Sequence, residues 1–195
     1  MTTVVRIFAV ASAALLLASC SASTSSTDTI AGEAAGEVAV TFTPLDITVD
    51  ALPAAWNEAI EAYGAGHPLP DPIKGEPSAI PRITSAFYDI TSDSYVSISW
   101  NSDSGEIIGM EIGGITDDQA IATDIAANAA AMAHTAGGLS VQDAEGFIVD
   151  ELVGDSLDNV QGNPEVSKIV EQPDRVYRFD VFGNTMSFSL DGVVE

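Results

Sequence analysis

Basic residues are scarce: six Lys and Arg stand against 29 Asp and Glu, for a formal net charge of -23. Such a chain repels phosphate backbones and anionic headgroups, which argues against nucleic acid as a partner and favours cations or basic surfaces. The same scarcity also fits a host that keeps its exported proteins acidic. Cysteine occurs once, at Cys20, and histidine twice, at His67 and His134. With one thiol no internal disulfide can form, and with no clustered His or Cys a structural zinc site is disfavoured. The usual base for an activated nucleophile is therefore nearly missing, and no Gly-x-Ser-x-Gly elbow, His-Glu-x-x-His, phosphate loop or paired-glycine fingerprint occurs. These absences point away from an enzyme. What is present is a globular composition, 46% hydrophobic and 18% charged over 195 residues, enough for one domain with a sizeable core.

The N-terminus is the most informative stretch. Arg6 precedes an almost wholly apolar run from Ile7 to Ala18, the n-region and h-region of a secretory signal, too short for a permanent membrane helix. It ends in Leu17-Ala18-Ser19-Cys20, an aliphatic residue, two small ones and a cysteine. This resembles the lipobox of bacterial lipoproteins at all four positions. The resemblance covers residues 1–20. It implies cleavage before Cys20, a diacylglyceryl group on the Cys20 sulfur and often an acyl group on the new amine. Stable anchoring then follows from two or more acyl chains. Localisation would be the cell membrane, facing outside the cytoplasm, with no cofactor beyond the covalent lipid. Loss of residues 1–19 would remove Arg6 and no acid, moving the charge from -23 to -24.

Residues 20–37 are rich in Ser, Thr, Ala and Gly and read as a flexible tether, with a root-mean-square span on the order of 20 to 25 Å. The acidic domain is expected over 38–195. Within it, Val38 to Val49 alternates as an edge strand, Asp50 reads as an N-cap, and Leu52, Trp56, Ile60 and Tyr63 share a helical stripe closed by Gly64. Proline excludes helix and central strand from Gly66 to Pro81, which reads as a surface loop. Ile83 to Ile90 reads as a strand. Val96, Ile98 and Trp100, then Ile108, Met110 and Ile112, alternate about an Asn101-Gly105 turn. Thr116-Asp117-Asp118-Gln119 has the form of a capping box before an Ala-rich helix reaching Ala136. Ser140 and Asp143 cap a second helix, with a strand over Phe147 to Val149 as the alternative. Three strands follow at 166–170, 176–182 and 186–190, and Val176, Arg178 and Asp180 give the middle one a wet, charged face. The pattern is an α+β domain of antiparallel β meanders packed on two or three helices. No residue-level repeat relates the meanders.

Few residues stand out as a site. His134 suits capping of a helix C-terminus. His67, Leu69, Asp71 and Ile73 in the Pro-rich loop are candidates for an interaction loop. Acidic turns invite calcium: Asp89 and Asp93 at one end of a strand, Asp103 and Glu106 at the other, and a separate group of Asp155, Asp158 and Asn159, none matching the twelve-residue calcium pattern. The leading expectation is a non-enzymatic binding module of the cell envelope with a protein or small-ligand partner. The alternatives are a small-ligand or cation-binding lipoprotein serving a transporter, and a hydrolase with an unfamiliar site.

Overall fold

A computed structural model describes residues 42–116, 119–154 and 165–193. The signal segment, the lipobox with Cys20, the tether, the capping-box residues Asp117 and Asp118, and the group Asp155, Asp158 and Asn159 lie outside the described residues.

The fold is α+β, with one antiparallel sheet of seven strands among the described residues. These are β1 (Glu76–Pro77), β2 (Ile83–Asp89), β3 (Ser94–Asn101), β4 (Ile107–Ile115), β5 (Glu165–Glu171), β6 (Arg175–Phe182) and β7 (Thr185–Gly192). Their spatial order is β1-β2-β3-β4-β7-β6-β5, so two meanders meet where β4 pairs with β7. Alternation sorts the strands into two faces. Val96, Ile98 and Trp100 turn inward, as do Tyr177, Phe179 and Val181 on β6 and Met186, Phe188 and Leu190 on β7. On β4 the inward set is Ile107, Met110 and Ile112 rather than the regular series from Ile108. The pairing slips between Ser99 and Trp100, and the extra residue of the resulting bulge restores the phase.

The helices are α1 (Leu52–Tyr63), α2 (Gln119–Thr135) and α3 (Val141–Gly146), the last continuing into a π-helical segment, Phe147–Val153. That continuation replaces the alternative strand over Phe147 to Val149. Phe147, Ile148 and Leu152 are buried at helical spacing, which extended backbone would split between two faces. Leu52, Trp56 and Ile60 of α1 join one buried cluster with Ile125, Met132, Ile148 and the inward strand residues. The Tyr177 hydroxyl donates to the Gly137 carbonyl, in the turn after α2, at 3.1 Å, and the Phe147 and Tyr177 rings meet edge to face at 4.6 Å. Tyr63 donates to the Val141 carbonyl at 2.8 Å, and burial followed by the charge of Glu145 pushes its hydroxyl up to about 12.

Two boundaries differ from the sequence expectation. Ala51, not Asp50, precedes α1, and no side chain caps it. The Leu52 amide bonds the Thr48 carbonyl and Pro53 occupies the first turn, where its missing N–H costs nothing. At the other end Gly64 has φ 64°, the left-handed turn that favours glycine. The expected edge strand is, over residues 42–49, an irregular segment with isolated bridges at Phe42 and at Thr48, the latter to Glu106. Pro44 lacks the N–H a ladder needs, and the segment instead bonds piecemeal, Thr43 to Val193, Leu45 to Ile107 and Val49 to Gly105.

Candidate functional site

The face of the sheet opposite the buried cluster is built by the other half of each alternation. Strand register sets its side chains in rows. One row runs Phe87, Ser97, Glu111, Ser189, Arg178, Ile169, and a neighbouring row runs Asp89, Tyr95, Gly113, Ser187, Asp180, Ser167. Beside the first lies a row through Ser99, Gly109, Asp191 and Val176, and beside the second a short one of Ile115, Thr185, Phe182 and Glu165. Serines and glycines keep this surface low, so the few large side chains on it stand proud.

Glycine is required at two places in the middle strand. A Cβ on Gly113 would meet the Tyr95 ring at 2.8 Å from its hydroxyl oxygen, and one on Gly109 would meet the Asp191 carboxylate at 2.5 Å. Tyr95 therefore lies flat across β4 and donates to Glu111 Oε1 at 2.7 Å. Burial, then the bond and the charge of Glu111, raises its hydroxyl pKa. Phe87 stacks on Tyr95 with ring centroids 5.1 Å apart and planes 21° from parallel. Asp191 is largely desolvated in the notch over Gly109. Burial pushes its carboxyl up to about 6, with Arg178 and a Ser189 hydrogen bond opposing and Glu111 reinforcing the rise. Arg178 also lies 3.8 Å from Asp180.

The large exposed apolar side chains among the described residues are Phe87, Ile115, Val149, Ile169 and Phe182. Four of these, all but Val149, project from the open face, and Phe87 and Phe182 are 62% and 69% exposed. None of the four was singled out by sequence reading, nor were Tyr95, Glu111 or Asp191. The period-2 pattern marked these positions only as facing away from the core, and their assembly depends on register.

The Pro-rich loop has a different character. Leu69 is 5% exposed and belongs to the core, and Ile73 is half-buried against it. Asp71 is exposed. His67 is half-buried: its amide bonds the Asn128 side chain at 3.0 Å, its carbonyl accepts from Trp56 Nε1 at 2.9 Å, and its Nε2 lies 3.4 Å from Asp124, an ion-pair distance without hydrogen-bond geometry. Asn57 binds the Leu69 amide at 2.9 Å. The loop is thus stapled over α1 and α2. His134 bonds the Leu139 carbonyl through Nδ1 at 2.6 Å, fastening the turn after α2.

Of the acidic turns, Asp103 pairs with Arg82 and Glu106 accepts from Ser104, while Asp93 accepts from Ser92 at the far end of β3. Among the described residues no three His, Cys, Asp or Glu side chains converge as a metal site. The surface carries, among the described residues, an open groove of about 400 Å³ beside Leu45, Ile47 and Ala51, and another of about 570 Å³ bordered by Phe147, Val170, Asp143 and Asp150. Comparison with protein-family models, with curated proteins and with solved structures yields no match.

Proposed function

We propose that the chain is a lipid-anchored, extracytoplasmic binding module of the cell envelope, non-enzymatic, held by Cys20 and presenting the open face of its sheet to a protein partner. The packing of its meanders on the helices gives that face a rigid backing. The single observation that carries the reading is that, among the described residues, four of the five large exposed apolar side chains share one face. Scattered apolar residues are ordinary on any surface, whereas a set sharing one flat, serine-lined face is what a docking surface needs. Such a face gains by burial, at roughly 25 cal/mol per Å² of apolar area, and its rigid strands lose little entropy on binding.

Two measurements test it. Cys20→Ala should abolish incorporation of labelled fatty acid and leave uncleaved or mislocalised precursor. A variant still labelled and still in the membrane fraction overturns the anchor. A photo-crosslinking side chain placed at Phe87 or Phe182 in living cells should give a discrete adduct, and one placed at Glu58 on α1 should not. Equal adducts at both places, or none at the sheet, overturn the docking face.

A further inference from the structure

We propose that the occupant of the open face is a cationic protein surface that carries apolar side chains between its basic ones; this rests on the reading of that face as a docking surface. The chemistry of the rows demands it. Asp89, Glu111, Glu171, Asp180 and Asp191 are spread across the face, and Arg178 is the one cation in its rows among the described residues. The exposed apolar residues flank these acids rather than forming a separate patch: Phe87 shares a row with Glu111, and Ile169 ends that same row beyond Arg178. A partner that covers Phe87 and Ile169 must therefore also cover Glu111.

Burying a carboxylate without a compensating charge costs several kcal/mol, more than the neighbouring apolar contacts return. Glu111 keeps one bond, from Tyr95, and its other oxygen needs a donor once water is excluded. A neutral or acidic partner pays that penalty at Glu111, whereas Asp180 and Asp191 already face Arg178. A second copy of this chain would bring -23 against -23, and anionic lipid or nucleic acid meets the same repulsion. A Lys or Arg seated between the rows offsets the cost, because Glu111 and Asp191 are diagonal neighbours across the β4–β7 pair, roughly 7 to 8 Å apart and within reach of one long cationic side chain. Arg178, between Asp180 and Asp191, already plays that part within the chain.

The test uses the full-length protein in non-ionic detergent and three synthetic peptides of about twelve residues, in which Phe and Val alternate with Lys, with Ser or with Glu. Affinity is read by calorimetry at about 0.15 M salt, where diffuse attraction is screened beyond about 8 Å. The Lys peptide should bind, and the Ser and Glu peptides should bind at least about tenfold more weakly. E111Q/D180N/D191N should weaken the Lys peptide by about tenfold, and E111Q alone by a smaller factor should the triple variant fold poorly. E58Q/E61Q/D150N removes the same charge from the helices and should change affinity by less than about twofold. Equal losses in the two triple variants, or no binding of the Lys peptide, overturn the inference. If the Ser peptide binds as tightly as the Lys peptide and F87S/F182S weakens both, the docking face stands and its cationic occupant falls. If F87S/F182S and E111Q/D180N/D191N leave every affinity unchanged, the docking face falls with it.

Discussion

Asp191 shows how a single missing side chain sets a neighbour's chemistry. Because Gly109 has no Cβ, the Asp191 carboxylate settles over β4 and loses water, and its pKa rises from 3.8 to about 6. An acid whose folded pKa lies above its unfolded value binds more protons when folded, so its contribution to stability is full below about pH 4 and is lost as pH rises through about 6. The displacement is worth about 3 kcal/mol at most, reduced by the remaining exposure. Asp191→Asn is therefore expected to raise the melting temperature at pH 7 and leave it nearly unchanged at pH 4. Thermal unfolding of both proteins at the two pH values checks this, and a variant less stable than the parent at pH 7 contradicts it. Gly113→Ala should act in the opposite sense. Its methyl group lifts the Tyr95 ring, breaks the bond to Glu111 and unstacks Phe87, at a cost of about 1 to 3 kcal/mol measured by urea unfolding.

At the scale of elements, Arg175 joins three parts of the chain. It is 7% exposed at the start of β6, and its guanidinium donates twice to Asp174, once to Asp46 at 3.1 Å and once to the Ala136 carbonyl at 3.4 Å beyond α2. The hydrogen bond from Arg175 holds the Asp174 carboxyl below its usual range. Arg175→Ala leaves a buried carbonyl and two carboxylates without that fork, and should cost about 2 kcal/mol, with faster amide exchange in 43–49 and 136–139 than in β3. Arg175→Lys should recover part of the loss, since a single ammonium keeps the charge and gives up the planar geometry. Uniform acceleration of exchange across the sheet would show instead that Arg175 stabilises the whole fold and not the junction. The adjoining Tyr177 bond to Gly137 serves the same junction from the core side.

For the whole molecule, the charge of -23 opposes compaction as well as anionic partners. Raising salt from about 0.02 M to about 0.5 M shortens the Debye length from roughly 20 Å to roughly 4 Å and should raise the melting temperature by a few degrees. A fall would mean that ion pairs such as Arg82 with Asp103, Arg175 with its two acids and Arg178 with Asp180 outweigh the repulsion. The same screening should weaken attachment of a cationic partner, so fold stability and binding are expected to respond to salt in opposite directions.

The sequence by itself determined the composition of the molecule and its local elements: the α1 stripe ended by Gly64, the Ala-rich α2, the β3–β4 hairpin and the β6–β7 turn at Gly183-Asn184. Each follows from periodicity and turn residues within a dozen positions. It also carried the lipobox reading of Cys20. The tertiary structure decided what no local pattern encodes. Pairing of β4 with β7 joins residues about 75 positions apart and places Glu111 beside Ser189 and Asp191. The bulge near Ile108 turns Ile107 into the main cluster, while Ile108 is buried outside it. Asn128, from α2, anchors a loop that composition alone marks as free surface. An outward position is legible from alternation, but its neighbours are set by register across strands. The open face, with its four apolar side chains and its carboxylates, therefore exists only once the two meanders have met.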